Sequence, residues 1–487
     1  LELDAKPAGK WARALPLAGC LLLCGPAAAR GAPLKIAHQQ FRLQNGLNVI
    51  LHPDPRLPRV VVNVLYRVGS RNDPPGLSGV AHLFEHLMFM GTARVPEGKI
   101  DLIMERAGGW NNAYTSRDFT VYYDVGPARL LATLLWIEAD RMATLARALD
   151  RKKLDLQREV VINELRQSYD NKPYGKARLL LPRLMYPAGH PYGWPVIGSV
   201  KDIRQVTVRD VRRLFKSFYS PRNATLVVAG QLDPARTRRL VQRYFGWIPA
   251  AAPPSRATPE APRLRRQKRR RLRDRVQLTK LILAWHSPAL MQPGDAEMDL
   301  AAEILADGKQ SRLYKALVYE QRLALQVEAY QESRLLGSQF VVEVTARAGV
   351  DPDRLLRATD EVLAKMAAAP PTARELRRAQ TGYETQYVLR LERLQNRADL
   401  LNLYFALLGQ PDFVEGDLQR YRDVTPAAVH RFCRKLLDPG RRVLLVVEPE
   451  AEAQPRPRAQ TAGEATSFDD TVGDALKAQD AKIGVAY

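Results

Sequence analysis

The chain has 487 residues, 46% of them hydrophobic and 26% charged, a globular balance with length for two or more domains of the usual ~100–200 residues. Only three cysteines (Cys20, Cys24, Cys433) occur, which excludes a disulfide scaffold and an all-cysteine metal cluster, and no apolar run reaches the ~18–20 residues that span a bilayer. The net charge of +22 invites a nucleic-acid reading, but the one dense basic cluster, Leu264 to Arg275, has no aromatic side chain for bases to stack on, so a solvated arginine-rich surface accounts for it better.

At the N-terminus, Lys10 and Arg13 precede an apolar stretch from Ala14 to Ala29, and Ala27-Ala28-Ala29 offers a cleavage site before Arg30. This is the order of a secretory signal. Residues 1–33 are expected to be a leader, with export to a bacterial periplasm and no transmembrane span in the mature chain. Leu17-Ala18-Gly19-Cys20 also resembles a lipoprotein box that would anchor the chain through Cys20, but the apolar run before Cys20 is short and continues past it, which favours ordinary cleavage.

Residues 41–51 then read as a hairpin turning at Asn45-Gly46. Val60–Val68 reads as a buried strand, and a helix is expected from Ser78, as N-cap, to Gly91, as C-cap. Val121–Val125 is a strand, residues 128–147 and 151–169 carry helical periodicity, and Leu226–Gly230 is a strand. Residues 34–249 form a first domain. Residues 250–275, rich first in Pro and Ala and then in Arg, read as a linker. A second domain spans 276–449, and the polar, Ala-rich 450–487 reads as a disordered tail.

The two domains repeat. Val206, Thr207, Val211, Arg213, Pro221, Leu226 and Val228 recur at Val424, Thr425, Val429, Arg431, Pro439, Leu444 and Val446 with constant spacing. Near the start of each copy the strand at 60–68 matches Lys280–Trp285. The fold expected is α+β: two tandem homologous domains, each a mixed or antiparallel sheet packed with helices.

Chemistry concentrates in His82-Leu-Phe-Glu85-His86. Spacing i, i+4 stacks two imidazoles on one helix face, where they can share a tetrahedral Zn2+ at ~2.0–2.1 Å. Glu85 lies one residue off that face and can reach a metal-bound water instead, the inverted order of the commoner metalloprotease motif. The flanking residues 80, 81, 83, 84 and 87–89 are all apolar, and burying two His and a Glu among them is costly unless they are paired or coordinated. A catalytic zinc needs a third protein ligand and an open position. Glu164, with Val160 and Val161 on its side of a helix, is one candidate, and Glu159 is its rival; spacing does not choose between them.

These motifs resemble the pitrilysin/insulinase metallopeptidase family, which includes the mitochondrial processing peptidase. His82-x-x-Glu85-His86 is similar to its zinc helix, and Glu164 to its third ligand in an Arg-x-Val-Val-x-x-Glu setting. Gly108-Gly-Trp-Asn-Asn112-Ala-Tyr-Thr115 with Asp118, Thr120 and Tyr122-Tyr123 is similar to its signature strand, and His190–Gly198 to a family loop. The resemblance covers residues 38–449. It implies a clam of two homologous domains, one Zn2+ per chain held by His82, His86 and Glu164, and Glu85 as general base towards a zinc-bound water. It also implies an extended peptide substrate that adds a strand beside Asn112 and Ala113.

Two departures qualify this. Gln157 stands where many members carry a helper Glu. In the second copy Ala302, Leu305 and Ala306 stand where the first has His82, Glu85 and His86. The family's Arg-x6-Tyr pair is replaced by Val318 and Leu325, with Tyr319 and Arg322 nearby in reversed order. The reading that follows is a zinc endopeptidase working beside a homologous zinc-less subunit, or otherwise as a homodimer. A catalytically silent scaffold subunit is the alternative, and the intact His82, Glu85, His86 and Glu164 argue against it.

Overall fold

The computed structural model describes residues 33–251, 259 and 262–450; the expected leader before residue 33, including Cys20, and the expected tail after 450 lie outside the described residues. Two sheets organise the chain. The first contains β1 (Gln39–Arg42), β2 (Asn48–Pro53), β3 (Arg59–Tyr66), β4 (Trp110–Thr115), β5 (Thr120–Pro127) and β6 (Ala224–Gly230), in the order β1-β2-β6-β3-β5-β4. The second contains β7 (Lys268–Asp274), β8 (Lys280–Ser287), β9 (Ala324–Glu332), β10 (Ser338–Ala346) and β11 (Val443–Pro449), in the order β7-β11-β8-β10-β9.

Apart from β1, the two orders are the same: β2-β6-β3-β5-β4 maps onto β7-β11-β8-β10-β9. The parallel pair recurs too, β2 on β6 and β7 on β11, with the other neighbours antiparallel. The sequence repeat is therefore a structural duplication, and the α+β expectation holds. β3 and β8, matched in sequence, take the same central place.

Three local expectations are corrected. The hairpin forms, but Arg42 pairs with Asn48 and the connection is longer than two residues, because Leu43 and Leu47 turn into the core. The 151–169 helix is α-helical over Arg151–Leu165 and widens to a π-turn over Arg166–Asp170. The last part of the span read as linker, Lys268–Asp274, is strand β7. As an edge strand it needs only one hydrogen-bonded neighbour, so its arginines extend into water and also discourage edge pairing with other chains. Arg269 and Arg271 both pair with Asp353.

One face of the first sheet packs on its own helices, including Val80–Leu87 and Leu131–Ala148. Its other face, with Ile50, Val61, Leu65, Val121 and Val227, is covered by Leu394–Leu408 from the second half. In return Gly175–Met185 of the first half packs on Ile282, Ala284, Val341, Val443 and Leu445 of the second sheet. These two helices start one repeat period apart, so each half lends the other the equivalent helix.

Candidate metal centre

The helix that carries His82, Glu85 and His86 runs only from Val80 to Leu87. Val80, Ala81, Leu83, Phe84 and Leu87 are buried in the core, which turns the three polar side chains the other way. The start differs from expectation: Gly79, at φ 90°, is the N-cap, and the capping oxygens come from Asp73, which accepts from Gly79 N at 2.7 Å and Ala81 N at 2.9 Å. Ser78 instead donates its hydroxyl to Asp202. The helix ends at Leu87 rather than running on to Gly91, which turns the chain with φ 80°. Burial pushes the Asp73 carboxyl up to about 8, against the pull of those two N–H groups.

The loop 190–198 braces this start. Trp194 donates to the Ser70 carbonyl at 2.8 Å, and Tyr192 donates to Asp118 at 2.7 Å. Gly198, at φ 80°, abuts Gly79: a Cβ on Gly198 would lie 2.6 Å from Gly79 Cα and 2.2 Å from Ser78 O.

Facing the short helix is Arg151–Leu165. Glu164 Oε1 lies 3.7 Å from His82 Nε2, and Glu164 Oε2 lies 3.3 Å from His86 Nε2. The three donor atoms all lie within 4.8 Å of one another. Four ligands at ~2.0–2.1 Å around a tetrahedral ion sit ~3.3–3.5 Å apart, so this donor set fits zinc with little movement. Glu159, the rival acid, is exposed and is not part of the group. Val160, expected to face inwards, is 40% exposed, so Glu164 sits at an open rim rather than in the core.

Burial lowers His82 to about 4, so its imidazole is neutral, the form that ligates. Burial also disfavours the charged form of His86, but the hydrogen bond and charge of Glu164 outweigh it and raise that histidine; the same pair lowers Glu164 in spite of its burial. Burial pushes Glu85 up to about 7, while the Thr115 hydroxyl, which donates to Glu85 Oε2, pulls it back. Gln157 shares the Glu164 side of its helix, with Nε2 2.8 Å from Met90 Sδ and its amide beside His86.

Asn112 and Ala113 lie on β4, an edge strand of the first sheet. Their side chains lie on opposite faces of the strand. Ala113 is on the metal side, whereas Asn112 faces Tyr123 on the other face and its Oδ1 accepts from Ala113 N at 2.8 Å. Alternation along β4 puts Asn111, Ala113 and Thr115 on one face, and that period-two signal is what could have singled out Thr115 from sequence. In the second half, Ala302 and Leu305 are buried apolar residues of Asp295–Ala306. Val318 is buried, while Tyr319 and Leu325 are 75% and 56% exposed.

Two histidines and a glutamate thus converge beside an edge strand of a duplicated α+β scaffold. Residues 48–189 match the family model described as insulinase (peptidase family M16), and residues 205–383 match the one described as the peptidase M16 inactive domain. The chain belongs to the M16 family of peptidases. It is 29% identical over 414 residues to the zinc protease PqqE of Helicobacter pylori, covering 84% of this chain and 92% of that one. It is also 29% identical over 216 residues to the mitochondrial-processing peptidase subunit beta of Saccharomyces cerevisiae, covering 44% and 45% of the two chains. Among solved structures, that of a protease from Helicobacter pylori is similar with a TM-score of 0.79 at 26% identity, covering 85% of this chain and 100% of the other. Relatives named zinc proteases place zinc use at the level of the family. No helix among the described residues is long and apolar enough to cross a membrane.

Proposed function

We propose that this chain is a zinc endopeptidase that hydrolyses peptide bonds in extended peptides or unfolded segments. The observation that carries the reading is the convergence of His82, His86 and Glu164 within 4.8 Å, with Glu85 on the same short helix. His82, His86 and Glu164 would hold the ion. Zinc, when bound, supplies Lewis acidity: it polarises the scissile carbonyl and lowers the pKa of a water towards ~7. Glu85 takes the proton of the attacking water and returns it to the leaving amine; burial raises its carboxyl, which suits a group that must both accept and give up a proton. The β4 edge pairs with the substrate main chain, which requires Asn112 to release the Ala113 N–H that its side chain now occupies.

The test is metal content and turnover together. The mature protein is expected to hold one zinc. Glu85→Gln should keep it and lose ~10²–10⁴-fold in kcat, the usual worth of general-base catalysis; His86→Ala should lose both. Protein that takes up no zinc, or Glu85→Gln at the parent rate, would overturn the reading.

A homologous zinc-less partner is part of the proposal. It is supported by Val318 and Leu325 in place of an Arg and a Tyr, and by the likeness to a processing peptidase subunit. Activity of the isolated chain should rise when the partner is added; full activity alone, unchanged by the partner, would leave a homodimer or monomer. Export rests on the Lys10/Arg13 start and the apolar run, and the mature N-terminus is expected near residues 28–33 by mass spectrometry.

A further inference from the structure

We propose that Thr115 is a positioning residue for Glu85, so that the edge strand offered to the substrate also aims the general base. The proposal rests on the zinc-peptidase reading for the role of Glu85. Its geometry stands apart from that reading.

Thr115 closes β4, and alternation places its side chain with Ala113 on the metal face. Its hydroxyl donates to Glu85 Oε2. Cross-strand from Thr115 is Thr120, whose Oγ1 lies 3.4 Å from Thr115 Oγ1 and donates to the Val68 carbonyl at 2.8 Å. Each threonine has one hydroxyl proton. Thr120 spends its proton on Val68, leaving the proton of Thr115 for the carboxylate, the strongest acceptor in reach.

This count distinguishes the two oxygens of Glu85. Oε2 accepts one hydrogen bond from Thr115, which sets the direction of the carboxylate and leaves Oε1 the freer of the two to receive the proton of the attacking water. Glu85 has three rotatable side-chain bonds, so without the threonine its carboxylate has other places to turn. The tether is short and comes from a strand, which fixes it better than a loop would. Because Thr115 is only two residues from Ala113, a peptide pairing with the β4 edge tightens the same segment that orients the base.

The test uses the full zinc-loaded chain. Thr115→Val keeps shape and β-branching but removes the hydroxyl; Thr115→Ser keeps the hydroxyl. For the valine variant we expect zinc content unchanged, KM within about twofold, and kcat down ~30–100-fold, the range for a misplaced catalytic group. The serine variant should recover to within about threefold of the parent. In crystals, the Glu85 carboxylate should leave its position in Thr115→Val and keep it in Thr115→Ser. A valine variant with parental kcat, or with Glu85 unmoved, overturns the proposal. If the parent binds zinc but cleaves no peptide, the peptidase reading fails, and the crystallographic comparison alone decides the role of Thr115.

Discussion

Gln157 lies two helical turns before Glu164, with its amide beside His86 and against Met90. A neutral amide orients an imidazole without adding charge. Carboxylates next to ligating histidines raise their basicity, and changes at such positions alter metal affinity ~10–100-fold. Gln157→Glu is therefore expected to tighten zinc binding about tenfold in a competition titration with a chromophoric chelator. Unchanged affinity would mean that Gln157 serves only to pack against Met90. His82 and His86 share one helix face by their i, i+4 spacing, and their rings lie 4.8 Å apart.

The short helix is the least self-sufficient element of the site. Eight residues are too few for a stable isolated helix, so tertiary braces hold it. Asp73 satisfies its first N–H groups, Asp202 ties down Ser78, and Gly198 lets the 190–198 loop touch the backbone at Gly79. Gly198→Ala combines a positive φ with a Cβ 2.2 Å from Ser78 O. We expect a loss of ~2–4 kcal/mol in urea unfolding. Weaker zinc binding should accompany it, since His82 and His86 ride on the displaced helix. A variant of parental stability would show that the loop yields freely.

At the scale of the molecule the two halves are tied by exchanged helices and by ion pairs between them. Baring the outer sheet faces would expose a row of Val, Ile and Leu, each worth ~1.5–3 kcal/mol when buried, so neither half is complete without the other's helix. Asp54, just after β2, is held down to about 2 by Arg56 and, from the second half, by Arg397. Its folded value lies below the ordinary carboxylate ~3.9, so its contribution is full above about pH 4 and fades as pH falls towards 2. Asp54→Asn should cost ~1–3 kcal/mol near neutral pH. Urea unfolding across pH should show the gap to the parent narrowing below pH 4; a constant gap would place the effect in packing rather than charge.

The sequence by itself determined the duplication, the α+β class and the His82-Glu85-His86 face. All three are periodic or near-neighbour properties, fixed by helical and strand repeat lengths and by residue type. It did not choose between Glu164 and Glu159, because which acid stands near the histidines depends on which helix face meets them, and packing of Arg151–Leu165 on Val80–Leu87 brings Glu164 there. It offered Ser78 as the helix cap, where Asp73 reaches in from a preceding turn. It read Lys268–Asp274 as linker, since an arginine-rich edge strand shows no apolar alternation and is recognised only by its pairing with β11. Alternation along β4 sets Ala113 and Thr115 on one face and Asn112 on the other, but the contact of Thr115 with Glu85 depends on how β4 crosses the short helix. Contacts across long stretches of chain are decided by how whole elements dock, and only the tertiary structure holds that.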